Sequence, residues 1–462
     1  MLYADRSLRQ IAGDLREGRL TAQALMDEAT ARYRSTEARL NAYKTWAGER
    51  AMVHAGAADT LLASGVDLGP LMGIPVSVKD LFGVPGLPVF AGTDTAFPES
   101  WTRSGPLVQR LLGQLGVVTG KTHTVEFAFG GLGVNAHWGA PVNPWSAPGA
   151  PRASGGSSSG AGVSLAQGSA LMALGTDTAG SVRIPASLTG QAALKNTHGR
   201  RSNQGIVPLS PSLDTPGLLC RTVEDLAYAF VALDGESDEA IQACPLAGLR
   251  IGVPRNFFWD EVEPSIADVT ETALRKLEAQ GARLVPLELP GCDEVIAVFQ
   301  LGGLGSPELR DFLNRNFPER IARLDPVVRM RVEGAEGVSA TEYLRRRAVL
   351  AQNGLLARQA LEQCDVLATP TVPISAPLLS ELEDAESYRR ANMMVLRNTA
   401  IANLFGWCAM SLPIGLDAQA MPVGLQLIGP PMQERDLLAA GLAVEAALGK
   451  ATDVLGPLPL SN

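Results

Sequence analysis

Histidine and cysteine are the scarcest residues of this 462-residue chain, with four and five copies. No two histidines have H-x-x-H or H-E-x-x-H spacing, so the sequence predicts no metal site. The cysteines include no CxxC pair, and the nearest two are 24 residues apart, which indicates neither a zinc knuckle nor a disulfide framework. An odd number of dispersed cysteines is typical of a reducing compartment, and we therefore expect a cytoplasmic protein that needs no cofactor.

Long runs of apolar or of basic residues are also missing. No stretch approaches the ~18 consecutive apolar residues of a membrane span, and residues 1–6 lack the apolar core of a secretory signal. The net charge is −9 and the clusters of Lys and Arg are short, which argues against binding to nucleic-acid phosphates. The composition, 46% hydrophobic and 19% charged, is that of a globular protein, for which we expect neither a membrane nor a nucleic acid as partner.

Short apolar runs and amphipathic segments alternate along most of the chain. Two amphipathic helices are predicted within residues 7–35, with Thr21 as the N-cap of the second. Further helices are predicted at 49–62, 107–115, 158–167, 266–280 and 340–363, and strands at 74–78, 117–119, 170–174, 249–253, 283–287 and 366–369. The alternation predicts an α/β fold in which a central mixed, mostly parallel twisted sheet is covered by helices on both faces.

No linker and no internal repeat divides the chain, so we treat residues 1–462 as a single domain. This length exceeds the ~250–300 residues at which one hydrophobic core usually stops growing, which indicates either one elaborated domain or two domains. The region 217–365 is more helical and more charged than the part that precedes it. Two interpretations stay open for this region: an inserted cap over a site, or the second half of one domain.

Two stretches are unusually rich in small residues. SGGSSSGAG at 154–162 precedes a predicted helix, so its N–H groups and hydroxyls would gather where partial positive charge favours an anion or a developing oxyanion. A flexible surface loop is the other interpretation of this run. GTDTAGSVRIP at 175–185 follows a predicted buried strand, and a tight turn there would hold successive N–H groups beside the hydroxyl of Ser181, as acyl transfer needs.

Three charged residues accompany these stretches. Asp177 and Arg183 are close enough in sequence to pair across the second stretch and hold it, or to form an ordinary surface ion pair. Lys79 ends an apolar strand, a place from which lysine is usually excluded. If Lys79 is buried, its amine is pushed towards the neutral form and can act as a base; otherwise it extends to solvent at the strand end.

Two segments resemble a nucleophile elbow and a phosphate loop, but neither fits its motif in full. GSSSG at 156–160 matches the G-x-S-x-G nucleophile elbow, but a loop precedes it and no histidine follows His198. GVVTGKT at 116–122 is one residue short of a phosphate loop, and a strand end with a turn explains it better.

Together, these stretches resemble the amidase signature family. GGSSSG at 155–160 and GTDTAGSVRIP at 175–185 are similar to its two serine motifs, with the family's separation of 24 residues between the serines. IPVSVKD at 74–80 is similar to its lysine strand. Three further segments also fit, EFAFG at 126–130, SLDT at 212–215 and PVGLQ at 422–426. The resemblance therefore covers nearly the whole chain.

The resemblance implies a role for each residue of these motifs. Ser181 would be the nucleophile that forms the acyl-enzyme, Ser157, placed after a cis peptide, would shuttle protons, and Lys79 would be the neutral base. The oxyanion hole would consist of the backbone N–H groups of Thr178, Ala179, Gly180 and Ser181. Substrate contacts are expected from Phe127, Ala128, Phe129 and Ser158, and structural support from Asp177 and Arg183. Ala179 replaces the family's usual Gly, and its methyl group is expected to restrict φ in this turn.

The resemblance also implies an activity, the cleavage of C–N acyl bonds in small linear amides through a serine acyl-enzyme, by a monomer or homodimer. Carbamates (urethanes) or ureas are alternative substrates. An alternative role is that of the glutaminase component of the tRNA-dependent amidotransferase. A non-catalytic scaffold is disfavoured because all three residues of the Ser–Ser–Lys triad are present.

Overall fold

The computed structural model describes residues 6–235, 237 and 239–459 of the chain. Residues 1–5, on which the expectation about a secretory signal largely depends, lie outside the described residues. Eleven strands in the described part form one sheet; they are β1 (Tyr43–Trp46), β2 (Pro75–Lys79), β3 (Val117–Thr122), β4 (Met172–Asp177), β5 (Ala192–Lys195), β6 (Thr215–Cys220), β7 (Arg250–Pro254), β8 (Arg283–Leu287), β9 (Val366–Pro370), β10 (Cys408–Leu416) and β11 (Pro422–Gly429).

Fifteen α-helices of the described residues accompany the sheet. They are α1 (Leu8–Arg16), α2 (Ala22–Leu40), α3 (Gly48–Ala63), α4 (Pro106–Gly113), α5 (Ser159–Gln167), α6 (Arg183–Thr189), α7 (Val223–Asp234), α8 (Pro264–Ala279), α9 (Cys292–Gln300), α10 (Gly305–Asn316), α11 (Pro326–Gly334), α12 (Ala340–Leu361), α13 (Ala385–Leu404), α14 (Glu434–Leu448) and α15 (Ala451–Leu455). The side chain of Thr21 accepts a hydrogen bond from the N–H of Ala24, so the predicted N-cap of α2 is confirmed. None of the described helices is both long and apolar enough to cross a bilayer.

The strands follow the order β1-β3-β2-β4-β6-β5-β10-β11-β9-β7-β8. Parallel pairs join β3, β2 and β4 on one flank and β9, β7 and β8 on the other. The pairs between these flanks are antiparallel, and so is the edge pair β1–β3. The mixed α/β sheet is thus confirmed, but parallel pairing prevails only on the two flanks, which corrects the expectation of a mostly parallel sheet. The middle is antiparallel because β5–β6 and β10–β11 are joined by loops without a crossover helix.

Helices cover both faces of the sheet, as alternate residues of the central strands demonstrate. Leu174 of β4 and Leu218 of β6 share a hydrophobic cluster with residues of α1, α3 and α7. Their neighbours Ala173 and Leu219 point the other way and join a cluster with residues of α5 and α6. This second face consists mostly of small residues, so α5 and α6 lie close to the sheet and to each other.

The register of the first parallel flank brings two predicted site stretches to one edge of the sheet. β2 and β4 are parallel neighbours, with Val78 opposite Leu174. β2 therefore ends at Lys79 on the same edge at which β4 ends at Asp177. Ligands of α/β folds bind at this carboxyl edge of parallel strands.

Candidate active site

Lys79 is completely buried at the end of β2. Its Nζ donates hydrogen bonds to Oγ of Ser157 and to Oγ1 of Thr176, both at 2.7 Å. Burial lowers the pKa of this amine to about 7, although the negative charges of Asp177 and Asp214 oppose the shift. The amine therefore exchanges between its protonated and neutral forms near neutral pH, and it does not extend to solvent.

Ser157 lies in the loop that leads into α5, and the peptide bond that joins it to Gly156 is cis, as the resemblance implied. Its side chain is completely buried, and so is the surrounding run of small residues at 154–162. The N–H of Ser158 donates to the backbone oxygen of Ser181 at 3.1 Å, so the two serine stretches are in direct contact. The run is therefore a packed part of the protein rather than a flexible surface loop.

The turn after β4 is held by the carboxylate of Asp177. This carboxylate accepts hydrogen bonds from the N–H groups of Gly180 at 2.7 Å and Val182 at 3.2 Å. The guanidinium of Arg183 donates two more, at 3.0 and 3.1 Å, and both members of this ion pair are fully buried. Burial alone would raise the pKa of Asp177, but the charge and hydrogen bonds of Arg183 outweigh it and lower the pKa to about 2. The pair thus fixes the turn that carries Ser181 and is not a surface ion pair.

Gly180 has the backbone conformation that only glycine adopts easily in this turn. Its φ is +133°, and a Cβ at this position would lie 2.1 Å from Oγ1 of Thr399. Ala179 does not have a positive φ. The methyl group that departs from the family pattern therefore does not restrict the turn, because the left-handed position is the next residue.

The free N–H groups of the turn differ from the set that the resemblance implied. The N–H of Gly180 is bonded to Asp177, so Gly180 is not a free oxyanion donor, which corrects that prediction. For the N–H groups of Thr178, Ala179 and Ser181, no hydrogen-bond partner occurs among the described residues. These three groups are available to an oxyanion.

Four polar side chains that sequence reasoning left without a role also support the site. They are Thr176, Asp214, Thr399 and Asn403. Asp214 accepts a hydrogen bond from Oγ1 of Thr178 at 2.6 Å, and burial raises the pKa of its carboxyl group to about 6. Thr399 and Asn403, one turn apart on α13, donate to the backbone oxygen of Ala179 at 2.7 Å and to Oδ1 of Asp177 at 2.8 Å. Asp214 belongs to the SLDT segment, a signal that was visible in the sequence, whereas the two α13 residues belong to no motif.

A cavity of about 730 Å³ lies beside the turn and is lined by Thr178, Ala179 and Ser181. Another wall comes from residues 299–338 and from the first three turns of α13. The region 217–365 thus provides both the strands β7 and β8 and a wall of this cavity. Within the described residues, no three His, Cys, Asp or Glu side chains are grouped so as to hold a metal ion.

The predicted substrate contacts divide between the cavity and the core. Ala128 and Phe129 line the cavity. Phe127 does not, because its ring is completely buried and packs edge-on against Phe97, with ring centroids 6.0 Å apart. Ser158 is also fully buried, and its Oγ donates to the backbone oxygen of Thr176 at 3.2 Å. Both residues therefore support the site from behind, which corrects the expectation that they contact substrate.

The fold and this arrangement of a buried amine, two serines and free N–H groups suit an enzyme that transfers acyl groups through a serine. The Amidase family model matches residues 24–438, and the chain belongs to that family. It is 59% identical over 458 residues to 2-amino-5-chloromuconic acid deaminase of Comamonas testosteroni, with 99% of each chain covered. It is 33% identical to an amidase of Pseudomonas putida, with 96% of each chain covered. It is also 33% identical to one component of the glutamyl-tRNA(Gln) amidotransferase of Chloroflexus aggregans, over 93% of this chain and 94% of the relative.

Comparison with a solved structure leads to the same family. A crystal structure of an amidase superimposes with a TM-score of 0.85 at 31% identity, covering 96% of this chain and 100% of that one. The prediction of an amidase signature enzyme with an α/β fold is thus confirmed.

Proposed function

We propose that the chain hydrolyses small linear amides through an acyl-enzyme on Ser181, with Ser157 as proton shuttle and Lys79 as base. One observation carries this proposal, the 2.7 Å contact between Nζ of Lys79 and Oγ of Ser157. Since burial lowers the pKa of this lysine to about 7, a large share of it is neutral at physiological pH. A neutral amine in contact with a hydroxyl activates serine chemistry without a histidine.

The proposed reaction has an acylation half and a deacylation half. In acylation, Oγ of Ser181 attacks the amide carbon while its proton passes to Ser157, which gives its own proton to Lys79. The N–H groups of Thr178, Ala179 and Ser181 stabilise the oxyanion. Ser157 then protonates the nitrogen, the C–N bond breaks, ammonia or an amine leaves, and Lys79 returns its proton to Ser157. Water attacks the ester by the same relay, the C–O bond breaks, and the carboxylic acid is released.

A second candidate function is the hydrolytic deamination of an acid of the 2-aminomuconate type. It is favoured by the 59% identity to a relative named as a deaminase of 2-amino-5-chloromuconic acid. In this reaction the enamine takes up a proton at the adjacent carbon as its nitrogen loses one and so becomes an imine, water adds at the carbon that carries the nitrogen, the C–N bond breaks, ammonia leaves, and that carbon becomes a keto group. The relay of Ser157 and Lys79 would supply the proton that the leaving nitrogen needs in this reaction as well.

Carbamates and ureas remain alternative substrates, since the same relay can protonate their leaving nitrogen. They are told apart by carbon dioxide, which their hydrolysis releases and amide hydrolysis does not. The glutaminase role within an amidotransferase is a further alternative, supported by 33% identity to a component of such an enzyme.

The test is a substrate panel of a primary amide, an anilide, a carbamate, a urea and 2-aminomuconate, with kcat/KM and products measured for each. We expect ammonia together with a carboxylic acid from the amide, or ammonia together with a keto acid from 2-aminomuconate. A fluorophosphonate probe should label Ser181, and Ser181→Ala should abolish both labelling and turnover. Ser202→Ala, at an exposed serine outside the cavity, serves as control. Turnover by Ser181→Ala at the rate of the control would refute the proposal.

A further inference from the structure

The wall of the cavity beside Ser181 carries charge of one sign. Among the described residues that line it, Arg331 and Arg389 are charged, and none is Asp or Glu. The chain as a whole has a net charge of −9, so this positive charge runs against the overall composition. A cavity whose charged side chains are all positive favours an anionic ligand.

The guanidinium groups of the two arginines differ in their contacts within the protein. Arg331 of α11 donates a hydrogen bond to the backbone oxygen of Phe129 at 2.6 Å, and its guanidinium lies over the ring of Phe129 at 5.0 Å. Arg389 of α13 is exposed, and among the described residues it has no hydrogen-bond or ion-pair partner. Arg331 therefore supplies a fixed charge, whereas the guanidinium of Arg389 is available to a ligand.

We propose that Arg389, assisted by Arg331, binds a carboxylate of the substrate, so that the enzyme acts on short-chain acids with the scissile C–N bond at one end and a carboxylate at the other. This inference rests on the proposed function and narrows its substrate class. A guanidinium binds a carboxylate with two parallel charge-assisted hydrogen bonds, which are stronger than bonds between neutral groups.

The geometry of α13 places this carboxylate far from the reacting carbon. Thr399 of α13 contacts Ala179 in the turn of Ser181. Because an α-helix rises about 1.5 Å per residue, Arg389 lies about 15 Å from Thr399 along the helix axis. Met393 and Leu396 line the cavity between them and suit the carbon chain of the substrate. The carboxylate is thus separated from the scissile bond by several carbon atoms.

Binding of adipate, a six-carbon dicarboxylate, tests the inference without requiring turnover. We expect titration calorimetry to give an adipate Kd at least about tenfold weaker for Arg389→Gln than for the wild type. Arg389→Lys should retain part of the affinity. Arg390→Gln is the matched control, because Arg390 follows on the same helix, pairs with Glu386 at 3.7 Å and does not line the cavity. Equal affinity of the Arg389→Gln and Arg390→Gln variants, or no adipate binding by the wild type, would overturn the inference.

Protection against the fluorophosphonate probe locates the bound anion. Adipate should slow labelling of Ser181 in the wild type and in Arg390→Gln, while hexanediol, a neutral chain of the same length, should not. Equal protection by adipate and hexanediol contradicts carboxylate recognition. Failure of the probe to label Ser181 at all contradicts the proposed nucleophile instead, and the calorimetric comparison still decides whether Arg389 binds a carboxylate.

Discussion

At the scale of single residues, the proposed chemistry depends on the amine of Lys79. Replacing it by methionine keeps the volume of the side chain and removes the base. We expect Lys79→Met to lower kcat roughly 10²–10⁴-fold, the usual contribution of a positioned base, with the protein still folded. Steady-state kinetics and thermal unfolding measure the two effects. The control is Lys276→Met, at an exposed lysine of α8, and equal rates for the two variants would rule out Lys79 as the base.

The protonation state of Lys79 predicts a pH dependence with a definite sign. Burial lowers the pKa of this lysine from 10.5 to about 7, and only the neutral amine accepts a proton. The active fraction therefore grows as pH rises, so kcat/KM should increase about tenfold per pH unit below about pH 7 and level off above it. A pH–rate profile measures this directly, and a rate that is flat between about pH 5.5 and pH 9 contradicts the assignment.

Residues with a local motif were predictable from the sequence, and residues that act from far along the chain were not. Lys79, Ser157 and Ser181 stand in dense, unusual stretches, and these stretches come together as expected. Thr399 and Arg389, by contrast, belong to an ordinary helical segment more than 200 residues after Ser181. Their importance arises only because the fold places α13 against the turn and the cavity.

At the scale of elements, the backbone of the turn after β4 predicts opposite effects for substitutions at two adjacent residues, Ala179 and Gly180. Gly180→Ala puts a Cβ 2.1 Å from Oγ1 of Thr399 at a φ of +133°, so we expect it to distort the turn, abolish labelling of Ser181 and lower the Tm. Ala179→Gly has no such conflict and should keep activity within a few-fold of the wild type. Differential scanning calorimetry and probe labelling compare them, and equal behaviour of the two variants would refute this account of the turn.

The ion pair inside the same turn predicts a large loss of stability. Asp177→Asn leaves the buried guanidinium of Arg183 uncompensated, which should lower the free energy of unfolding by about 3–5 kcal/mol in denaturant titrations. Because the pKa of Asp177 is lowered from 3.8 to about 2, its contribution is complete above pH 4 and is lost as pH falls through about 2. Asp365→Asn, which breaks the half-exposed pair with Arg250, should have a much smaller effect. Equal losses for the two variants would contradict the role of the pair.

Strands were predictable where helices separate them. The six strands predicted from alternating patterns, β2, β3, β4, β7, β8 and β9, are those of the two parallel flanks. Of the remaining five strands, β1 is a four-residue strand at the edge of the sheet, and the pairs β5–β6 and β10–β11 follow one another in the chain with no helix between them. Each antiparallel pair includes at least one of these five, which is why the sequence overstated the parallel character of the sheet.

At the scale of the whole molecule, the charge of the cavity predicts a substrate preference that distinguishes a free-standing hydrolase from the glutaminase component of a larger enzyme. Glutamine carries an ammonium group, and no lining Asp or Glu among the described residues is present to pair with it. Glutaramate is glutamine without that ammonium group. We therefore expect the purified chain to hydrolyse glutaramate with a kcat/KM at least about tenfold higher than that of glutamine, with no other protein added. Ammonia release during stopped assays measures both rates. A preference for glutamine that requires added amidotransferase components would favour the alternative role.

The helix α13 contacts both the turn of Ser181 and the cavity beside it. Its last turns hold the turn of Ser181 through Thr399 and Asn403, while its first turns carry Arg389 on the wall of the cavity. From the proposed roles, we expect a change near position 389 to alter which substrates bind and a change near position 399 to alter whether they react. New substrate preferences can therefore arise by exchanging one end of a single helix, while the inherited chemistry at the other end stays intact.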